Sequence, residues 1–305
     1  MGPNSQKKIV GRGAAYIYIE SISSLISGYI FWLIVSKITT PEIIGTSSTV
    51  VTYATIVAVI AGMGVPMGMQ RFVGKSFSEK NLDDVKRYVI TSLLLIFIGI
   101  FVCVAIIIAA HYWIQNFFGF DFTLIIIAIL LIGSFNTTML FRSTVVASLK
   151  TESLPLIYII SSVAKLILAI VLILIGFGSV GLTLGYTFNH ILSSVLLSIL
   201  LVRTILKPFR TKGLLDNFVA NSKKILLGST VSWIPLLIIT VGSQLGTIVV
   251  FGSQGANQAG VYFLALTIVT GITSIMNSLF TIALPTLSGL TDSRKRIPSN
   301  TELST

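Results

Sequence analysis

The stretch SSVAKLILAIVLILIG, residues 161–176, is apolar almost throughout and carries one charged side chain, Lys165. Such a run is typical of a helix that crosses the hydrocarbon core of a membrane, which takes about 20 residues. An ammonium group at mid-membrane costs about 3 kcal/mol on insertion scales and is kept mainly where it faces a cavity or a partner. The stretch therefore predicts a membrane fold and, within it, a candidate functional residue.

The whole chain has the composition of an integral membrane protein. Of its 305 residues, 54% are hydrophobic and only 10% are charged, whereas about a quarter of the residues in soluble domains are charged. The net charge of +11 arises from basic residues between apolar runs, so we expect them to set the topology and not to bind nucleic acid. The lone Cys103 excludes an internal disulfide and a multi-cysteine metal site. We expect no cofactor and no metal.

Eight segments are long enough to cross the membrane, and they predict an all-α integral membrane protein. Helices are favoured over a β-barrel because the runs are nearly continuous, whereas barrel strands alternate over about 10 residues. We place the eight segments at residues 14–38, 43–69, 88–110, 122–147, 154–176, 180–202, 225–251 and 259–287.

The distribution of positive charge predicts the orientation. All Lys and Arg residues except Lys37 and Lys165 fall on one side of the predicted bundle, and basic loops are retained in the cytoplasm. We therefore expect a multi-pass protein of the plasma membrane with both termini cytoplasmic. The loops are too short to hold a ligand-binding ectodomain or a soluble catalytic domain, so we expect a protein that is not an enzyme and has no catalytic residues.

An internal repeat relates the beginning of the chain to its last predicted helices. Shifting the sequence so that Gly45 falls on Gly260 lays helices one and two on helices seven and eight. A parallel repeat of six helices is the kind of duplication from which transporters build a central site. The predicted division is a six-helix lobe at 1–210, a cytoplasmic linker at 211–224, two helices of a second lobe at 225–290 and a cytoplasmic tail at 291–305.

Residues 38–75, ITTPEIIGTSSTVVTYATIVAVIAGMGVPMGMQRFVGK, carry a proline-acidic turn, a glycine entering the second helix and a G-x-G-x-P…R-F ending. The pattern resembles the opening of prokaryotic polysaccharide biosynthesis proteins, the O-antigen-type flippases. The stretches AGVYFLAL (259–266) and ALPTLSGL (283–290) resemble helix eight of the same family. The residues that match are Pro41, Gly45, Gly64, Pro66, Arg71, Gly260, Tyr262 and Pro285.

The resemblance implies membership in the multidrug, oligosaccharidyl-lipid and polysaccharide exporter superfamily, whose members usually have twelve or fourteen helices in two lobes. It also implies a flippase or exporter of lipid-linked oligosaccharide or polysaccharide precursors that works by alternating access. With eight predicted helices the chain is short for that family, so a second chain could complete the two-lobe fold as a partner. The lipid bilayer and a lipid-linked sugar are the other expected partners.

Two charged residues within predicted spans are the leading site candidates. Lys165 would meet an anionic headgroup in a central cavity. Glu20 either pairs with Lys165, binds a proton or Na⁺ that drives transport, or reaches cytoplasmic water. Further polar residues would line the same cavity, although interhelical hydrogen bonding and membrane-edge anchoring explain them equally well. These residues are Asn136, Arg142, Asn189, His190, Gln244 and Asn277.

Two other functions remain open at this stage. A multidrug and toxic compound extrusion antiporter is the alternative within transport, and a second intramembrane carboxylate constellation would favour it. The other is a membrane scaffold that transports nothing and organises a polysaccharide assembly complex.

Overall fold

The computed structural model describes residues 3–206 and 216–273, and the chain in these ranges is helical with no strand. Eight of the described helices are long and apolar enough to cross a membrane, which confirms the predicted all-α membrane fold. The helices are α1 (Pro3–Ile38), α2 (Pro41–Gly62), α3 (Val65–Ser78), α4 (Leu82–Ala109), α5 (His111–Phe118), α6 (Phe122–Ala147), α7 (Leu154–Leu174), α8 (Gly178–Leu201), α9 (Phe218–Gln254) and α10 (Ala256–Thr273).

The second predicted helix is interrupted, so the prediction of one helix over 43–69 is wrong at this point. Met63 and Gly64 both have left-handed backbone conformations, with φ of 47° and 65°, and α2 ends there. Proline has no backbone N–H and is best tolerated in a first helical turn. Pro66 occupies the first turn of α3. A left-handed turn followed by proline therefore restarts the chain as a separate helix.

The ends of several helices follow local capping chemistry. The side chain of Thr40 accepts a hydrogen bond from the backbone N–H of Ile43 at 3.5 Å, and Pro41 occupies the first turn of α2. Asn81 caps α4 by accepting from the N–H of Asp84 at 3.2 Å. These contacts satisfy backbone donors that the first turn leaves without a partner.

Helices α1 to α8 pack into one body with three apolar clusters. One cluster joins α3, α4, α6, α7 and α8 and includes Ile225 from the start of α9. A second joins α2, α4, α5 and α6, and a third joins α1, α2, α7 and α8. Helices α9 and α10 bury few of their side chains against the other described residues. Helix α9 lies mainly against α2 and α3, and α10 meets the start of α2 at Gly45 and Gly260, where the lack of side chains permits close approach.

One such approach joins the starts of α2 and α10. A Cβ atom on Gly45 would strike the carbonyl oxygen of Ala256, and one on Gly260 would strike that of Pro41. In the predicted repeat, Ala256 is the equivalent of Pro41 and Gly260 is the equivalent of Gly45. The contact is therefore reciprocal, as it is between two equivalent surfaces related by a two-fold axis. Helices α9 and α10 also begin at the repeat equivalents of the first residues of α1 and α2.

Candidate functional site

The carboxylate of Glu20 on α1 forms an ion pair with the guanidinium of Arg142 on α6. Arg142 donates from Nη2 to Oε2 at 2.6 Å and from Nε to Oε1 at 3.3 Å. The side chain of Glu20 is 5% exposed and that of Arg142 is 26% exposed. A two-point contact of this kind is the strongest geometry available to an Arg–carboxylate pair. Both oxygens of Glu20 are thus engaged by Arg142, and not by Lys165.

Tyr158 on α7 lies within electrostatic range of both members of this pair. Its hydroxyl is buried and has no hydrogen-bond partner among the described residues. The sequence analysis did not select Tyr158. Its position seven residues before Lys165, with Ser161 and Ser162 between them, places all four side chains near one face of α7, and this spacing was the available signal.

Lys165 is buried with aromatic rings around its ammonium group. Its side chain Nζ lies 4.6 Å from the ring centroid of Phe31 and 5.5 Å from that of Tyr186. The residue is 5% exposed, and among the described residues no carboxylate lies within ion-pair distance of it. Cation–π contacts of this length contribute up to about 2 kcal/mol when desolvated. The lysine is therefore held by rings instead of by a counter-charge.

His190 and Asn189 on α8 each carry a polar atom that is unpartnered among the described residues. The ring of His190 lies 5.2 Å from that of Phe135 and 5.8 Å from that of Tyr186, which also contacts Lys165. Within the described ranges, His190 Nδ1 and Asn189 Oδ1 are buried without a hydrogen-bond partner. Buried polar atoms of this kind are rare and call for an explanation.

Asn136 is engaged in a bond between two helices. Its Nδ2 donates to the carbonyl oxygen of Ala58 and to that of Ile132, both at 3.0 Å. The residue is 3% exposed. The side chain thus joins α6 to α2, and both amide hydrogens are used.

An open cleft of about 350 Å³ lies between α1, α9 and α10. Its lining includes the rings of Tyr29, Trp32 and Phe263, and no charged residue contributes to the described lining. Gln244 lines it from α9, and its Oε1 accepts a hydrogen bond from Thr52 of α2 at 3.0 Å. Hydroxyl groups complete the polar part of the lining, from Ser24, Ser243, Thr267 and Thr270.

Trp32 belongs both to the cleft and to the aromatic surroundings of Lys165. Its ring centroid lies 4.6 Å from that of Phe263, which lines the cleft. On the other side it lies 5.2 Å from Phe31 and 6.2 Å from Tyr186, the two rings that contact Lys165. Lys165 itself does not line the cleft. One layer of aromatic rings thus separates the ammonium group from the open space.

The site residues predicted from the sequence therefore do not form one common site in the structure. Lys165, Asn189 and His190 belong to the interior of α7 and α8, whereas Gln244 lines the cleft. Asn277 lies outside the described residues. The described residues contain no group of three metal-ligating side chains.

The residues that carry the family resemblance occupy contacts and turns. Pro41, Gly45 and Gly260 form the reciprocal contact between α2 and α10. Gly64 and Pro66 form the break before α3, and Arg71 is exposed on α3. The hydroxyl of Tyr262 lies against Gly246 of α9. Pro285 lies outside the described residues.

The fold and the sequence of the chain both have counterparts among known proteins. A solved structure described as "Inward-facing conformation of a multidrug resistance MATE family transporter of the MOP superfamily" is similar, with a TM-score of 0.51 and 18% identity. The alignment covers 87% of this chain, and the chain spans 60% of the length of that transporter. No curated protein matches in sequence. The family described as "Polysaccharide biosynthesis protein" matches residues 19–304, so the chain belongs to the polysaccharide biosynthesis protein family.

Proposed function

We propose that the protein is a membrane transporter, a flippase or exporter of lipid-linked oligosaccharide or polysaccharide precursors. The observation that carries the proposal is the cleft between α1 and the α9–α10 hairpin in a chain of this family, with a described lining of aromatic, hydroxyl and amide groups and no charged side chain. Transport of such a substrate breaks no covalent bond. The protein needs only a polar path for the headgroup while the lipid tail stays in the bilayer.

The cleft has the chemistry that a sugar headgroup requires. Hydroxyl and amide groups such as those of Ser24, Thr267 and Gln244 can exchange hydrogen bonds with sugar hydroxyls. Aromatic rings offer flat apolar surfaces to the C–H faces of a sugar ring. A neutral lining also avoids the desolvation cost of an unpaired charge.

Lys165 supplies positive potential behind the aromatic layer. In the described conformation it does not contact the cleft, so it would attract an anionic pyrophosphate through space. Such attraction is much stronger in a low-dielectric interior than in water. Glu20 would have to release Arg142 before it could hold a proton or Na⁺, so ion coupling at this carboxylate has less support than a structural pair.

The proposed architecture is two lobes that rock against each other. The division is the predicted one, with a six-helix lobe at 1–210, a linker at 211–224, the start of a second lobe at 225–290 and a tail at 291–305. The reciprocal contact of Gly45 with Gly260 supports this division. We place both termini in the cytoplasm, put the protein in the plasma membrane and propose that a second chain supplies further helices.

Reconstitution in liposomes tests the proposal. A labelled polyprenyl-pyrophosphate sugar in the inner leaflet should become accessible to an externally added reagent when the wild-type protein is present. Lys165→Met should slow this step at least tenfold, and Lys165→Arg should retain most of it. Lys224→Gln changes an exposed lysine on α9 and serves as the matched control.

Each failure points to a defined alternative. A folded wild-type preparation that moves no labelled lipid contradicts the stand-alone flippase and favours the scaffold. Export of an organic cation without movement of the labelled lipid favours the multidrug antiporter.

A further inference from the structure

A second cavity, of about 580 Å³, lies at the end of the bundle where the basic loops gather. It is formed by the ends of α3, α6 and α8 and by the turn before α7. Its apolar side is made by Phe77, Leu149 and Leu200. The cavity is distinct from the cleft, because no described residue lines both, and the proposed transport function does not use it.

The polar side of this cavity favours an anion. Lys150 is exposed there and has no carboxylate within ion-pair distance among the described residues. Ser153 occupies the N-cap position of α7, but its hydroxyl oxygen accepts no capping bond from a backbone N–H, so the hydroxyl can form a hydrogen bond with a ligand. The Ser148 hydroxyl is buried and likewise has no partner within the described ranges. The N-terminus of α7 adds the positive end of a helix dipole.

One acidic residue also lines the cavity. Glu152 lines the cavity and lies beside Arg12 of α1, with 3.8 Å between Oε1 and Nη2, and both side chains are about two-thirds exposed. The described lining thus carries one positive charge, on Lys150, and one negative charge, on Glu152, and Arg12 adds a second positive charge just outside it. The cavity and its immediate surroundings therefore carry one more positive than negative charge.

The rim of the cavity includes the C-terminal cap of α6. Leu149 has a left-handed φ of 54°, and the N–H groups of Leu149 and Lys150 donate to the carbonyl oxygens of Val146 and Val145, both at 3.1 Å, as in a common helix-ending turn. The turn exposes 47% of Leu149 beside Lys150. The apolar side chain of Leu149 and the ammonium group of Lys150 are thus adjacent in the turn after the C-terminal end of α6.

We propose that this cavity binds the phosphate headgroup of an anionic phospholipid. The phosphate meets Lys150, Ser153 and the N-terminus of α7, and the start of the acyl chains lies on Leu149 and Leu200. A free phosphate ester would meet the same polar groups, but it would leave the apolar side unused. Basic pockets between transmembrane helices on the cytoplasmic side are known to hold anionic headgroups.

The test measures lipid binding to the purified full chain by native mass spectrometry. Phosphatidylglycerol and phosphatidylcholine with identical acyl chains are titrated separately, and glycerol 3-phosphate provides the soluble phosphate ester. We expect phosphatidylglycerol to bind more tightly than phosphatidylcholine. Lys150→Gln should weaken its binding about fivefold, and Ser153→Ala about threefold. Lys224→Gln, an exposed lysine that lines neither cavity, should leave it unchanged.

Three outcomes would overturn the proposal. Equal losses in Lys150→Gln and Lys224→Gln would show that surface charge acts without a site. Equal binding of the two lipids would exclude recognition of a negative headgroup. Glycerol 3-phosphate that displaces phosphatidylglycerol at equal concentration would assign the site to a soluble phosphate ester. If Lys150→Gln fails to fold, Ser153→Ala decides alone, and unchanged binding in it counts against the proposal.

Discussion

Two of the buried charge sites in helices α1 to α8 accommodate a charge in the interior in different ways. Glu20 and Arg142 neutralise each other through two hydrogen bonds. Lys165 has no counter-charge among the described residues and lies against the rings of Phe31 and Tyr186. A cation paired with an anion contributes little to the electrostatic potential at a nearby ligand, because the two charges cancel. An unpaired cation contributes its full positive potential. The comparison favours a structural role for the first site, whereas the proposed function uses the field of Lys165 to attract an anionic substrate.

The largest effect is expected from removing the charge of Glu20. Glu20→Gln leaves Arg142 without its partner, and breaking a buried pair destabilises by about 3 kcal/mol. Thermal unfolding in detergent should show a clearly lower midpoint. The double variant with Arg142→Met should regain most of the loss, because neither charge is then left unpaired. An unchanged midpoint for Glu20→Gln would contradict the structural role of the pair.

Lys165→Met should act in the opposite direction on stability. An ammonium at mid-membrane costs about 3 kcal/mol, and its contacts with two rings return about 2 kcal/mol. Methionine of similar length should therefore raise stability by about 1 kcal/mol while transport falls. Two measurements check this prediction: the midpoint of unfolding for stability, and the liposome assay for transport. A destabilisation as large as that of Glu20→Gln would place Lys165 with the structural charges.

The ring contacts of Lys165 can be measured as a coupling. In a double-mutant cycle of Phe31→Leu and Lys165→Met, the interaction should contribute roughly 0.5–1 kcal/mol. Tyr186→Phe keeps the aromatic face and is the matched control, for which almost no coupling is expected. A zero coupling for Phe31 would show that the ring packs beside the ammonium without stabilising it.

The smallest expected change in stability comes from the hydrogen bond between two uncharged side chains, Thr52 and Gln244. Thr52→Val removes the hydrogen bond to Gln244 between α2 and α9, and such bonds contribute about 0.6 kcal/mol in membranes. Thr55→Val is a suitable control because the Thr55 hydroxyl bonds only within its own helix, to the carbonyl oxygen of Val51 at 2.7 Å. In chemical unfolding, the free energy of unfolding of Thr52→Val should be lower than that of Thr55→Val by this small amount. Identical unfolding curves for the two variants would contradict the prediction.

The sequence indicated the charged residues but not their partners. A charge in an apolar run is a local anomaly, so Glu20 and Lys165 could be selected directly. The partner of Glu20 lies 122 residues away on α6. Because α1 itself packs mainly against α7, only the folded bundle determines the pairing. Phe31 and Tyr186 could not be distinguished from lipid-facing aromatic residues.

The helices themselves followed closely from hydropathy, with one failure that has a physical reason. Hydropathy stays high through residues 61–69, so nothing in it signals the end of α2. The turn depends on backbone chemistry at Gly64 and Pro66, which an apolar average does not register. The internal repeat was visible in the spacing of the helices, whereas its reciprocal contact required the fold.

The contact between Gly45 and Gly260 has a consequence for how substitutions combine. Neither position has room for a methyl group, because each faces a carbonyl oxygen of the opposite helix. Alanine at either position must push the starts of α2 and α10 apart, and that displacement also opens space at the other position. The second substitution should therefore cost less than the first, so the two glycines behave as one shared steric constraint and their variants should show strong positive epistasis.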